Sequence, residues 1–185
     1  MDSEPELESL LLEYQRGNLA AASGLVHRLS PQLHRFFAFQ GTSRREADDL
    51  LQETWLRVHE ARHTYRAGAA VLPWVYAIAR HIRIDHFRRT LRHNSKTQAF
   101  IRESAGAAQP SVEHPDLEAL LAGLPDSQRE VIAMLKMADM SLEEVARATG
   151  SSVGSVKQKA HRAYEKLRKQ FEIHRKGSIS GGAGR

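Results

Sequence analysis

The sequence predicts an all-α protein built as two small helical domains joined by a flexible linker. Three observations lead there. Apolar residues recur at i, i+3, i+4 spacing up to about Arg92, and again from Asp116 to about Phe171. No stretch alternates apolar and polar residues as a half-buried strand does. Between the two periodic stretches the chain turns small and polar, with Asn94, Ser95, Lys96 and then Ser104, Gly106, Gln109, Pro110 and Ser111. The division is therefore a domain over 1–92, a linker over 93–115, a second domain over 116–172 and a flexible tail over 173–185.

A first helix runs from about Pro5 to Arg16 and stops at Gly17-Asn18. A second covers about Leu19 to Leu29. Ser30-Pro31 then opens a third, with Leu33, Phe36 and Phe37 inward and Gly41 closing it. Ser43 and Glu46 form a capping box for the next helix, whose Ala47, Leu50, Leu51, Trp55 and Val58 make a buried stripe. After a loop over Ala61–Leu72, Pro73 begins a helix with Val75, Ile78, Ala79 and Ile82 on one apolar face. The second domain starts with a short helix over 116–122. A helix capped by Asp126 follows, with Val131, Ile132 and Leu135 inward. Ser141 and Glu144 form a second capping box, Thr149-Gly150 a tight turn, and Ser151 or Ser152 the cap of the last helix. Val153, Val156, Ala160, Tyr164 and Leu167 form its buried stripe.

Composition narrows the function. A net charge of +5 favours a polyanionic partner. With no cysteine, disulfides, thiolate metal sites and cysteine nucleophiles are excluded. The acidic N-terminus lacks the order of a signal peptide, and no run approaches the roughly 18 apolar residues of a spanning helix, so a cytoplasmic location is expected. His59 and His63 share i, i+4 spacing, but Arg62 and Arg66 crowd them and a helix end falls nearby, so no metal site is expected. No phosphate loop or nucleophile elbow occurs, so no catalytic residue, cofactor or small-molecule substrate is expected and the chain is not read as an enzyme.

Three helices carry candidate surfaces. Opposite the buried stripe of the Ser43-capped helix lie Asp48, Asp49, Gln52, Glu53 and Leu56, an acidic face with one outward leucine. It suits docking on a basic helix, although on spacing alone a plain solvated face is the simpler reading. The helix after Pro73 mixes Trp74, Tyr76 and Phe87 with Arg80, Arg83, Arg88 and Arg89. Rings that stack on unpaired bases and guanidinium groups that hold phosphates fit single-stranded nucleic acid. Each aromatic taken singly is more often core, and the basic run from Arg80 to Arg92 tips the balance toward DNA. The last helix follows a short helix and a glycine turn, as in a helix-turn-helix. It displays Ser155, Lys157, Gln158, Lys159, His161 and Arg162 in its first turns. Gln and Arg at such positions read base edges, and Lys and Ser hold phosphates. The competing reading, an ordinary hairpin with a solvated basic face, explains the charge but not the turn.

These residues resemble one family. Residues 48–58, DDLLQETWLRV, look like the polymerase-binding helix of the extracytoplasmic-function sigma factors. Residues 73–80, PWVYAIAR, with Ile84-Asp85 and Arg88-Arg89, resemble the promoter-melting helix of that family. Leu124-Pro125, Arg129-Glu-Val131 and the segment 141–167 resemble its C-terminal helix-turn-helix. The resemblance implies sigma region 2 over 1–92 and sigma region 4 over 116–172. Asp48, Asp49, Gln52, Glu53 and Leu56 would dock on core RNA polymerase. The loop from Arg62 to Leu72 would capture a flipped base of the −10 element, with Tyr65, Trp74, Tyr76, Arg80, His81, Arg83, Arg88 and Arg89 contacting melted DNA. Ser155, Lys157, Gln158, Lys159, His161 and Arg162 would read the −35 duplex. An anti-sigma factor, often membrane-anchored in such systems, would hold the protein inactive. His81 stands where the family commonly has asparagine, and His59 where it commonly has tryptophan. The rival reading is a simple helix-turn-helix regulator with an N-terminal dimerisation domain, which would bind duplex DNA without polymerase.

Overall fold

A computed structural model of the chain describes residues 4–97, 121 and 123–180, and side chains within 4–92, 121 and 123–171. Its helices are α1 (Glu4–Gln15), α2 (Leu19–Phe39), α3 (Arg44–Ala61), a 3-10 turn over Arg62–Thr64, α4 (Val71–Thr97), α5 (Asp126–Met137), α6 (Leu142–Thr149) and α7 (Val153–Ser180). The described residues contain no strand, and none of their helices is long and apolar enough to cross a membrane.

Several elements differ from the sequence reading. The two helices expected on either side of Ser30-Pro31 are one, α2, with Pro31 inside it. Proline forfeits one backbone hydrogen bond, but Leu25, Leu29, Leu33 and Phe36 carry a single buried stripe across it, and Trp55 Nε1 donates to Ser30 Oγ at 2.9 Å. Asp126 is not a cap: it is the first residue of α5, behind Pro125, and no side chain caps that end. α4 continues to Thr97, into the stretch assigned to the linker, and α7 to Ser180, into the expected tail. The rest of the linker, and the 116–122 helix apart from Leu121, lie outside the described residues.

Both capping boxes form as the sequence predicts. Ser43 Oγ accepts from Glu46 N while Glu46 accepts from Ser43 N, and Ser141 and Glu144 do the same for α6. Gly150 ends α6 in the left-handed region at φ 62°, a conformation that glycine reaches without a Cβ clash. Ser152, not Ser151, caps α7 by accepting from Ser155 N at 3.2 Å.

The two halves pack together. α5 lies on α2, and α6 lies on α4. One buried cluster runs from Leu7 and Leu11 through Phe36, Phe37 and Tyr76 to Val131, Val145 and Val156.

Candidate nucleic-acid interface

The acidic face of α3 stands clear of the core. Ala47, Leu50, Thr54 and Val58 are buried, and Leu51 and Trp55 are half-buried beside them. The opposite side therefore points outward. Asp48, Asp49 and Gln52 are exposed, and Leu56 is 60% exposed. Two of the acids already have cationic neighbours. His34 lies 3.1 Å from Asp48, and Arg89 lies 3.1 Å from Glu53.

The aromatic and basic helix divides sharply. Tyr76 is not at the surface: it is fully buried, edge-on to Phe36 at 5.2 Å between ring centroids. Burial raises its phenol well above the ordinary value. The sequence could not separate the two sides because Tyr76 belongs both to the arginine stripe and to the core. Tyr65 is likewise buried rather than available to a base. Its hydroxyl donates to Ala69 O, and Trp74 sits edge-on to it at 5.7 Å. His81, Arg88 and Arg89 are exposed, and Phe87 is half-exposed at 50%. Arg88 lies 3.9 Å from Asp85 along the helix.

Arg80 and Arg83 are engaged by the other half of the chain. Arg80 Nε donates to Glu130 Oε2 at 3.1 Å and Arg83 Nη2 to Glu130 Oε1 at 3.4 Å. Glu130 is only 4% exposed. Beside it, Arg129 Nη1 donates to Gln40 O at 3.0 Å and Nη2 to Leu124 O at 2.9 Å. Burial lowers the Arg129 guanidinium below its ordinary value; Asp126 opposes that shift and Arg83 adds to it. The seam also holds buried polar atoms with no partner among the described residues: both side-chain ends of Gln40, and Nε of Arg83 and Arg129. The sequence reading missed this seam. Its signal was a glutamate one position from the apolar stripe of α5, which spacing alone cannot pair with a helix some fifty positions earlier.

The reading face of α7 is open. Val156, Ala160 and Ala163 are buried, which turns Lys157, Gln158, His161 and Arg162 outward, with Ser155 and Lys159 half-buried at their flanks. Tyr164, expected inside, is 43% exposed. Ala163 takes the inward position one residue earlier. A short helix, a left-handed glycine turn and an exposed polar–basic helix form the geometry that places side chains in a major groove.

Comparison with known proteins gives a consistent picture. Residues 25–93 match the family description Sigma-70 region 2, and residues 115–167 match Sigma-70, region 4. The ECF RNA polymerase sigma factor SigF of Caulobacter vibrioides is 31% identical over 168 residues, spanning 90% of this chain and 94% of its own. The RNA polymerase sigma factor CarQ of Myxococcus xanthus is 34% identical over 164 residues, spanning 84% and 91%. Two solved structures share the fold. The sigma factor RpoE, in complex with the anti-sigma factor NepR from Bartonella quintana, has a TM-score of 0.70 at 22% identity, over 82% of this chain and 96% of that one. CnrH, in complex with the cytosolic domain of CnrY, has a TM-score of 0.71 at 23% identity, over 91% and 98%.

Proposed function

Because the chain belongs to the extracytoplasmic-function subfamily of RNA polymerase sigma factors, and so directs promoter-specific initiation without doing chemistry itself, we propose how its surfaces divide that work. The domain over 1–92 docks on core polymerase through Asp48, Asp49, Gln52, Glu53 and Leu56. Its loop over 62–72 takes a flipped −10 base, and Trp74, Arg80, His81, Arg83, Arg88 and Arg89 meet melted DNA. Tyr65 and Tyr76 serve instead as internal supports. The domain over 116–172 reads the −35 duplex through Ser155, Lys157, Gln158, Lys159, His161 and Arg162. The protein works in the cytoplasm.

The observation that carries this division is the outward pair of faces, one acidic with an exposed leucine on α3 and one polar–basic on α7, held in a single chain. Arg80 and Arg83 are covered by Glu130, so their contact with DNA requires the domains to part. The unpartnered polar atoms of the seam favour that parting. Each such buried group disfavours the closed form by about 1–3 kcal/mol, whereas an apolar core gains from every atom it hides. An anti-sigma factor is the proposed regulator, since the two solved relatives are titled as complexes with such a factor or with a cytosolic domain. With no cysteine here, thiol-based sensing would fall to that partner.

The test is in vitro transcription with purified core polymerase and promoter DNA from the source genome. Specific initiation that depends on the protein is expected. Stable duplex binding without core, and no initiation with it, would favour the helix-turn-helix regulator instead.

A further inference from the structure

The loop over 62–72 has little structure of its own. It is one 3-10 turn, an exposed apex at Arg66–Ala69 and the start of α4. Its anchors come from a helix that lies ahead of the segment matching Sigma-70 region 2, which begins at residue 25. At the near end of the loop, Gln15 Nε2 donates to Arg62 O at 2.6 Å and to Tyr65 O at 2.9 Å. At the apex, Glu8 Oε1 accepts from Gly68 N at 2.5 Å. At the far end, the Glu4 carboxylate accepts from Val71 N at 3.0 Å and Leu72 N at 3.1 Å. Residues 4, 8 and 15 fall on one side of α1 at 3.6 residues per turn, so a single helix face meets the loop at three points along its length.

The chemistry suits positioning. Carboxylates that accept from backbone N–H groups make charge-assisted hydrogen bonds of well-defined direction, and Glu4 sits where the positive end of the α4 dipole favours an anion. Gly68 holds φ 82°, a conformation open to glycine and uncommon for other residues, so the apex depends on an outside partner to fix its N–H. The Tyr65 hydroxyl is pushed up to about 12 by burial, with Glu8 and Glu4 adding to the shift. It therefore stays protonated and keeps donating across the loop to Ala69 O.

We infer that Glu4, Glu8 and Gln15 of α1 are positioning residues for −10 recognition, setting the shape of the loop that selects the captured base. This rests on the proposed base-capture role of that loop. None of the three needs to touch DNA. They act by holding Arg62, Gly68 and the first turn of α4 in register.

The experiment compares full-length parent protein with Glu8→Ala, Glu8→Gln and Gln15→Leu. Each is combined with core polymerase on a promoter library randomised across the −10 element, with the −35 element fixed. Core affinity and melting temperature are measured alongside. Glu8→Ala and Gln15→Leu should flatten the base preference at the captured position by about fivefold or more, within the range one recognition contact supplies. Glu8→Gln, whose amide oxygen still accepts from Gly68 N–H, should stay within about twofold of the parent. Core affinity should not change. Variants that keep the parent's preference, or that lose activity equally on every −10 sequence, would overturn the inference and leave α1 a plain support. A parent with no −10 preference would overturn the base-capture reading beneath it, a different result from a selective parent whose variants remain selective.

Discussion

Glu130→Ala should open the protein and strengthen its grip on melted DNA. The Glu130 carboxylate is 4% exposed and takes two guanidinium hydrogen bonds, from Arg80 at 3.1 Å and Arg83 at 3.4 Å. Hydrogen bonds to charged groups contribute about 1.5–3 kcal/mol each. The longer contact and the partly exposed Arg80 keep the total near the lower end, about 3 kcal/mol. Removing one partner of a buried pair ordinarily unfolds a domain in part. Here the two arginines regain water if the domains separate, so the loss falls on closure rather than on folding. A 3 kcal/mol change shifts an open–closed ratio by about two powers of ten. If only the open form takes −10 DNA, apparent affinity tracks the open fraction and rises by up to about 100-fold. The assay is fluorescence anisotropy with a labelled single-stranded −10 oligonucleotide, paired with small-angle scattering for the expected increase in radius of gyration. Glu143→Gln, which removes one exposed acid elsewhere, controls for net charge. Glu130→Gln should fall between parent and alanine variant. Unchanged affinity in an unchanged, compact Glu130→Ala protein would refute the reasoning, as would an expanded protein that binds no better.

Three further outcomes follow from the same geometry. Asp49→Arg with Glu53→Arg should weaken core binding at least tenfold in a pull-down titration while helix content by circular dichroism stays at the parent value, because both side chains point away from the α3 core; lost helicity would mean that the face is misplaced. Arg162→Ala should reduce discrimination between matched and mismatched −35 duplexes by about 1–3 kcal/mol, measured by competition binding, and an equal loss on every sequence would mark Arg162 as a phosphate contact. The Glu46 carboxyl lies below its ordinary 4.5, chiefly through the Ser43 hydroxyl, with burial opposing and His86 assisting; its contribution to stability is therefore present above the unfolded value and lost as pH falls through the folded one, and Ser43→Ala should flatten urea-melt stability between about pH 3 and 6.

Much of this was legible because local chemistry settled it. Ser43 with Glu46, Ser141 with Glu144, and Gly150 announce their helix ends in any context, since each satisfies backbone groups within three residues. The outward faces of α3 and α7 were also legible, for a 3.6-residue period fixes opposite sides once the buried stripe is known. The reading failed where a residue serves two faces or a partner lies far along the chain. Pro31 signalled a boundary, and an unbroken apolar stripe overrode it. Tyr76 lay on the arginine stripe by count and in the core by packing. Glu130 looked like an ordinary helix acid until α5 was laid against α2 and α4. The supports that Gln15, Glu8 and Glu4 give to residues some fifty or more positions later had no local signature at all.

The closed seam does not treat the two DNA-reading surfaces alike, and that inequality suggests an order of events. On the proposed division, Lys157, Gln158, His161 and Arg162 are exposed while the domains are together, whereas Arg80 and Arg83 are held by Glu130. The free chain can therefore meet duplex DNA but cannot yet hold a melted strand. Something must supply the energy that separates the halves. The α3 face, with Asp49 and Leu56 exposed, lies open on the same domain as the covered arginines, so polymerase can dock before the seam parts. Docking would also draw on Glu53, the partner of Arg89 at 3.1 Å, and release a second guanidinium toward the −10 strand. Affinity for single-stranded −10 DNA should thus rise on adding core polymerase to the parent, but hardly at all for Glu130→Ala, in which that surface is already free.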